Sequence, residues 1–410
     1  MRALHADALI RGDGAPLVDA AVVLDDRGTI IDVGPAADVL PRHAGAPRET
    51  VRGVVLPGLV NAHTHLELSG LRGRVPGGAG FVPWVEHLIG ARSELRPEED
   101  PGAVDEAVRE LDVYGIAAVG EVTNSLVAVS ALARRGLAGC VFHEVFGVER
   151  EPLEERVRAL PRVVDERVGP WPSPDLTYAA TPHTLYTTHA EVVAALVARA
   201  AEQGVRASLH LAEHGAERRF LEHGDGPVVA WYQSRLKLRR DALAWPGEAP
   251  VAFADRLGAL ASHVLAVHLT DARPEELEHV ARRGAPVVLC PRSNLHIEVR
   301  LPPLLPMRAA GILPGLGTDS LASSPSLDVL AEARALADRF PSVPHADLVA
   351  MATWGGARAL GRPDLGRVAP GARPGLFVIE GDPGPDPAAF VLRSVRTPRR
   401  WLSRRQEISR

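Results

Sequence analysis

The stretch PGLVNAHTHLELSG, residues 57–70, sets two histidines two positions apart at the end of an apolar run. If GVVLPGLVNAHTH (53–65) is a strand, His63 and His65 share a face, because strand side chains alternate with period two. Two imidazoles on one face suit a single metal ion. A chain with 16 histidines also produces such pairs by chance, so the rest of the sequence has to discriminate.

Outward from this stretch, seven further short apolar runs follow: GIAAVGEVTN, LAGCVFHEVFG, DLTYAATPH, VRASLHLAEH, HVLAVHLTD, APVVLCPRSN and ILPGLGTDS. Helical stretches such as PGAVDEAVRELDVYG and THAEVVAALVARAAEQG separate most of them. Strands buried on both faces read as continuous apolar runs. The pattern therefore predicts an α/β chain built as a (β/α)8 TIM barrel over residues 56–358, with a doubly wound open sheet as the alternative that periodicity leaves open. Turn-punctuated β segments at both ends, residues 1–55 and 359–410, are expected to pair into a small β-sandwich domain. The Pro-rich segment 161–175 is expected to be a loop.

Composition narrows the function classes. Hydrophobic residues make up 46% and charged residues 24% of 410, ordinary for a soluble chain with a large core. A net charge of -5 without a clustered basic tract argues against nucleic acid as partner. Nearly all the basic residues are arginine, and Lys237 is the sole lysine. Cys140 and Cys290 lack the spacing of a disulfide framework or zinc knuckle, which fits a reducing cytoplasm. The N-terminus has no apolar leader and no run is long enough to span a bilayer, so neither secretion nor a membrane is expected.

The informative polar residues sit where the apolar runs end. His63 and His65 close the first, His210 and Glu213 lie in HLAEH, His268 in VHLTD, and Asp319 in GLGTDS. In a barrel the carboxyl ends of the strands form the active-site face, so these residues converge. Taken singly, each histidine reads as a hydrogen-bonded core residue and Asp319 as a helix cap; four strand ends carrying them together is a rarer accident. Three neutral imidazoles and a carboxylate suit one divalent ion, Zn2+ or else Fe2+. Glu213 can lie beside that ion without binding it, and His268 can hydrogen-bond the attacking water.

Taken in order, PGLVNAHTH, HLAEH, VHLTD and GTDS resemble the amidohydrolase superfamily, in particular its deaminase and chlorohydrolase branch. ATWGGARALGRPDLGRVAPGARPGLFVIE is similar to the tail that returns to that family's small β domain. The resemblance implies His63, His65, His210 and Asp319 as metal ligands, with Glu213, His268 and Asp319 catalytic. Glu213 would be the proton shuttle and His268 would orient the water. Two-metal relatives bridge their ions with a lysine at the end of strand four, where this chain reads TPHTLY, so a single ion is implied.

Substrate contacts implied by the same resemblance are His183, Ser323, Trp84 and Glu86, with Glu144 and Arg292 as further candidates. HTHLELSG, HEVFG and LCPRSN resemble the aminodeoxyfutalosine deaminases of the alternative menaquinone pathway. That implies hydrolytic deamination of a small-molecule 6-aminopurine nucleoside whose far end carries a benzoate-type carboxylate, for which Arg292 is the expected partner. Deamination of adenosine or S-adenosylhomocysteine, or another chlorohydrolase-type aminohydrolase, is the alternative; from another class, a silent binding protein on the same fold. The P-C-x-x-C signature of base-flipping zinc deaminases is absent. The resemblance leaves room for a homodimer.

Overall fold

The computed structural model describes residues 1–96, 100–235, 237, 238, 245–395, 397 and 399–405. Residues 406–410 of the expected C-terminal segment lie outside them.

The strands, in chain order, are β1 (Arg2–Leu9), β2 (Leu17–Leu24), β3 (Ile30–Pro35), β4 (Arg48–Pro57), β5 (Leu59–Thr64), β6 (Ile116–Thr123) and β7 (Ala138–Val145). They continue with β8 (Leu176–Pro182), β9 (Ala207–Leu211), β10 (Val264–His268), β11 (Val287–Leu289), β12 (Gly315–Leu316), β13 (Leu376–Ile379) and β14 (Arg399–Ser403). Each of the eight apolar runs contains one of β5 to β12. The first run splits, however: its opening residues belong to β4 and only Leu59–Thr64 form β5. Gly58 makes the transition, where a Cβ would stand 2.4 Å from the Ala117 Cβ and 2.6 Å from the Pro374 carbonyl oxygen.

The class is α/β with parallel strands. β5-β6-β7-β8 form one parallel sheet and β12-β11-β10-β9 another. Parallel bridges Thr64↔Asp319 and Thr184↔His210 connect the two sheets at both edges. Val60, Ala62, Ala118, Phe142, Leu265 and Val267 pack between the strands, and a larger apolar cluster joins the strands to the surrounding helices. No polar water-filled channel is needed to explain such residues; they fill the space between the sheets.

Both chain ends share one six-stranded sheet, in the order β14-β13-β4-β1-β2-β3, so the expected pairing of the termini is present. Leu4, Leu9, Val22, Leu24, Val55 and Val378 form its own core. Segment 161–175 is irregular from Gly169 on, as expected, but its first part, 161–168, is helical. The helix Arg150–Val168 runs through Pro161 and ends at Gly169, whose φ is 72°. Leu153 and Leu160 bury one stripe of this helix, and that tertiary packing offsets the backbone hydrogen bond that proline cannot make. Cys140 and Cys290 are both buried and free. Among the described residues no helix is long and apolar enough to cross a membrane.

Candidate active site

The strand ends bring the singled-out residues together. His63 lies within β5 and is fully buried; His65 follows it and begins the 3-10 turn Leu66–Leu71. Their ring centroids are 5.0 Å apart, and the His63 and His210 centroids 4.9 Å apart. One nitrogen from each of His63, His65 and His210 lies within 4.8 Å of the other two. Asp319 Oδ1 completes the group, 3.9 Å from His63 Nε2 and 3.5 Å from His65 Nε2.

Local structure explains how these donors are held. The Asp319 N–H donates to the His63 carbonyl at 3.1 Å, and the Thr64 hydroxyl donates to the Asp319 carbonyl at 3.1 Å. Asn61 and Thr318 pair reciprocally beneath them, Asn61 Nδ2 donating to Thr318 Oγ1 (2.8 Å) and the Thr318 N–H to Asn61 Oδ1 (3.1 Å). Gly317 permits the approach, since a Cβ there would stand 2.7 Å from the His63 Cβ. Asp319 Oδ2 accepts from Ser293 Oγ at 2.6 Å and from Ser323 Oγ at 3.3 Å, which turns Oδ1 to the histidines. His210 Nδ1 donates to the His183 carbonyl at 3.1 Å, which leaves the lone pair on Nε2 of a neutral ring to face a metal. Ala212, His268, Leu269 and Asp319 all have positive φ, between 48° and 76°. Such strain at non-glycine positions clusters at functional sites.

Electrostatics point the same way. Burial, then the neighbouring imidazoles, push His63 and His210 well below the ordinary histidine range; burial does the same to His65, against the pull of Asp319. All three rings are therefore neutral at pH 7, the form that binds a metal. Burial alone would raise the Asp319 carboxyl, but the surrounding imidazoles and the Ser293 hydroxyl hold it below the usual carboxylate range. Neither ring nitrogen of the buried His63 has a hydrogen-bond partner among the described residues, nor does His268 Nε2. Buried polar atoms are rarely left so, and a cation among His63, His65, His210 and Asp319 would take one of the two His63 nitrogens. The residues fit a single divalent ion.

Glu213 stands beside this cluster. Its carboxyl is pushed well above the usual range by burial and by the nearby Asp319, Glu217 and Glu298 carboxyls. Oε1 is 3.7 Å from His268 Nε2, while Asn294 Nδ2 engages the opposite ring nitrogen, Nδ1, at 3.3 Å. Glu217 was not singled out in the sequence, yet it fixes the loop: Oε1 accepts the Ala212 N–H (3.1 Å) and Oε2 the Glu213 N–H (2.9 Å). Burial pushes the Glu217 carboxyl up to about 8, and those two N–H groups pull against it.

The cluster floors a cavity of about 240 Å³ walled by Phe81, Trp84, Leu88, Phe146, Val228 and Trp231. Larger depressions exist on the terminal sheet, below β11 and beside His189 and Phe220, but none of these is lined by the clustered histidines. Trp84, His183 and Glu144 line the cavity, with Glu144 Oε1 3.4 Å from His210 Nδ1. Burial drives the Glu144 carboxyl up to about 8 and the His183 imidazole down to about 3.

Three expected contacts lie elsewhere. Glu86 faces outward, 3.5 Å from Arg235 Nε, because position 86 is on the solvent side of the helix Phe81–Leu95. Ser323 sits behind Asp319, bonded to its carboxylate and to Ser293. Arg292 turns away from the cavity: its N–H donates to Glu332 Oε2 at 2.8 Å and its Nη1 to Ser326 Oγ at 3.1 Å. Ser293, Asn294, Asn61 and Glu217 are the supporting residues that sequence reasoning missed; Ser293 and Asn294 were within reach, in the CPRSN motif beside Arg292.

The model of the Amidohydrolase family matches residues 54–399. The chain belongs to that family. This amidohydrolase chain is 30% identical over 368 residues to the aminodeoxyfutalosine deaminase of Deinococcus radiodurans, covering 88% of this chain and 86% of that one. Its fold matches that of Helicobacter pylori aminofutalosine deaminase in complex with methylthio-coformycin, with a TM-score of 0.86 at 22% identity and 98% of each chain covered. An adenosine deaminase from Xanthomonas campestris with bound zinc aligns with a TM-score of 0.75 at 25% identity, covering 98% of this chain and 90% of that one. Family membership makes the chain a hydrolase.

Proposed function

We propose that this chain is a single-metal aminohydrolase that converts 6-amino-6-deoxyfutalosine to futalosine in menaquinone biosynthesis. The observation that carries the reading is the convergence of His63, His65, His210 and Asp319, with His63 buried and both its nitrogens unpartnered, on the floor of an apolar cavity. The 30% identity to the Deinococcus radiodurans deaminase supplies the substrate. His63, His65, His210 and Asp319 would hold Zn2+, with Fe2+ able to replace it. When bound, such an ion lowers the pKa of a coordinated water from 15.7 towards about 7.

The chain's own residues do the rest. Apolar walls hold the purine and exclude bulk water. Asp319 takes a proton from the attacking water, and His268 orients that water towards C6. Glu213, whose carboxyl is pushed well above the usual range by burial, is placed to donate a proton to N1 as the C6–O bond forms. Left as a carboxylate, Glu213 takes the proton of the C6 hydroxyl and passes it to the 6-amino group, which leaves as ammonia as the C6–N bond breaks and the C6=O bond forms; the proton held by Asp319 then returns to Glu213. Trp84, His183 and Glu144 are assigned to substrate contact.

The two parallel sheets, bridged at both edges, support the reading of a closed (β/α)8 barrel over 56–358. The single six-stranded terminal sheet, with a core of its own, supports a small β domain from 1–55 and 359–410. Similarity to the zinc-bound adenosine deaminase favours one second reading, adenosine or a related adenosyl compound such as S-adenosylhomocysteine as substrate. A turnover screen of 6-aminopurine nucleosides, followed by the ultraviolet shift from adenine to hypoxanthine, tests both. The carboxylate-bearing nucleoside should win by orders of magnitude in kcat/KM, because binding energy from remote groups is expressed in the chemical step. Equal rates, or a preference for guanine or a triazine, would overturn the assignment.

A further inference from the structure

Of the eight phenylalanines in the chain, Phe146 alone is exposed, at 47% accessibility, and it lines the histidine-floored cavity. Ile89, at 49%, lines the same cavity from the helix Phe81–Leu95. Single exposed apolar side chains are ordinary, whereas apolar residues that carry a cavity wall out to solvent mark a ligand-binding groove. We propose that Phe146, with Ile89 as a second contact, is the specificity-determining seat of an aromatic ring at the far end of the N9 substituent, and that a carboxylate on that ring stays in water. The proposal rests on the deaminase reading above.

A series of rings places Phe146 at the rim. The His183 ring stands 5.0 Å from that of His210, a proposed metal donor, and the Phe146 ring stands 6.1 Å from His183 at 63°. Accessibility rises along the series, from buried His210 through half-buried His183 to Phe146. The helix Phe81–Leu95 runs outward in the same sense. Phe81 marks the reacting end, since its ring stacks on His214, next to Glu213, with centroids 3.8 Å apart; Trp84 is buried and Ile89 exposed. C6 and N9 lie at opposite ends of a purine, so a base with C6 at the clustered histidines sends its N9 substituent towards this rim.

The exposure of Phe146 does not come from a loose turn. On one side, the Val145 carbonyl accepts the His183 N–H at 3.1 Å and the Thr188 hydroxyl at 3.2 Å. On the other, the Gly147 N–H donates to the Thr187 carbonyl at 2.7 Å and the Gly147 carbonyl accepts the His189 N–H at 2.9 Å. A ring presented on a fixed backbone is preorganised, so little ordering entropy is lost when a ligand covers it. An aromatic ligand adds ring-to-ring attraction to the apolar area it buries. Charge lies at the reacting end instead. Glu144, Glu213 and Asp319 line it, and Arg92 donates to Glu67 and is felt by His65 and Glu144. Phe146 and Ile89 give a carboxylate nothing to pair with, so an anion at the rim keeps its hydration.

The test measures kcat/KM of metal-loaded wild type and Phe146→Ala on adenosine, 6-amino-6-deoxyfutalosine and the methyl ester of the latter. The wild type should prefer both aryl nucleosides to adenosine and treat acid and ester within about threefold of each other, as for a charge left in water. Phe146→Ala should cut the preference for aryl nucleoside over adenosine by about 10- to 30-fold. Phe146→Tyr should keep most of that preference, and Phe146→Leu, which keeps apolar area without a ring, should keep part of it. If Phe146→Ala does not fold, the exposed Ile89→Ser should lower the same preference, and the acid-against-ester comparison on the wild type still decides whether charge or ring is read. An equal loss on adenosine and on the aryl nucleoside in Phe146→Ala, or a wild-type preference for acid over ester beyond about threefold, overturns the role of Phe146 and leaves the deaminase reading standing. No turnover of any 6-aminopurine nucleoside by the wild type overturns that reading instead.

Discussion

Replacing Glu213 with glutamine isolates proton transfer from every other property of the site. The side chains are isosteric, and the loop that presents position 213 is fixed by Glu217, whose carboxyl accepts the 212 and 213 N–H groups at 3.1 and 2.9 Å. The four proposed metal donors are untouched, because Glu213 is not among them. General acid or base work contributes typically about 10²- to 10⁴-fold. Glu213 is asked to act twice, at N1 and at the departing amine, so a kcat loss of about 10³-fold or more is expected, roughly 4 kcal/mol at 1.36 kcal/mol per tenfold. The amide also places an NH2 or a carbonyl opposite His268 Nε2, now 3.7 Å from Glu213 Oε1, without altering the cavity volume. The assay is kcat at saturating nucleoside, with metal content and thermal midpoint measured on the same preparation. Full metal, an unchanged midpoint and a collapsed kcat are the expected triple. A kcat within tenfold of wild type would refute the shuttle assignment, and metal lost together with activity would make Glu213 a ligand.

Purified protein should carry about one equivalent of divalent metal, and His63→Ala or Asp319→Ala should lose metal and activity together; elemental analysis giving close to two equivalents would overturn the single-ion reading. Ser293→Ala removes the 2.6 Å donor to Asp319 Oδ2 and should weaken metal binding about 10- to 100-fold, read by chelator competition, where unchanged affinity would sink the idea. Away from the site, Arg42, His43 and the Val33 N–H outweigh the upward push of burial and hold the Asp32 carboxyl below its usual range. A depressed carboxylate stabilises above its unfolded pKa and loses that contribution as pH falls through the folded value, so Asp32→Asn should cost about 1 kcal/mol at pH 7. In thermal unfolding its gap to wild type should close below about pH 4; a gap constant with pH would contradict the ion-pair account.

How much of this was legible in the sequence depended on the range of the interaction that decides each feature. The eight strands were readable because burial on both faces writes itself into consecutive residues, as in AGCVFHEV of β7, where every position is buried. The convergence of the proposed metal donors was readable because they lie where such runs end. Boundaries set by one backbone contact were not: Gly58 divides a continuous apolar run between two sheets only because Ala117 and Pro374 press against it, and both are remote in sequence. Pro161 misled for the same reason, since local proline chemistry was outweighed by the packing of Leu153 and Leu160.

The arginines carry the point furthest. Arg292 follows β11 by three residues and so has the sequence position of a substrate contact, whereas Arg92 lies on the helix Phe81–Leu95 after β5. What distinguishes them is which carboxylate each one meets. Glu332, on the helix Val329–Arg339 and wholly buried, captures Arg292 against the back of the wall. Glu67, two residues beyond His65, is itself anchored by the turn after β6 and accepts from Arg92 Nη2 at 3.4 Å. Both pairings join segments far apart in the chain, at 40 and 25 residues. One sequence does retain a clue: the helical stripe Phe81, Trp84, Leu88, Arg92 is apolar until its last member. A charge that interrupts an otherwise apolar cavity-facing stripe costs desolvation unless it is paired, and Glu67 Oε1, 3.4 Å from Arg92 Nη2, contributes to that pairing across 25 residues of sequence.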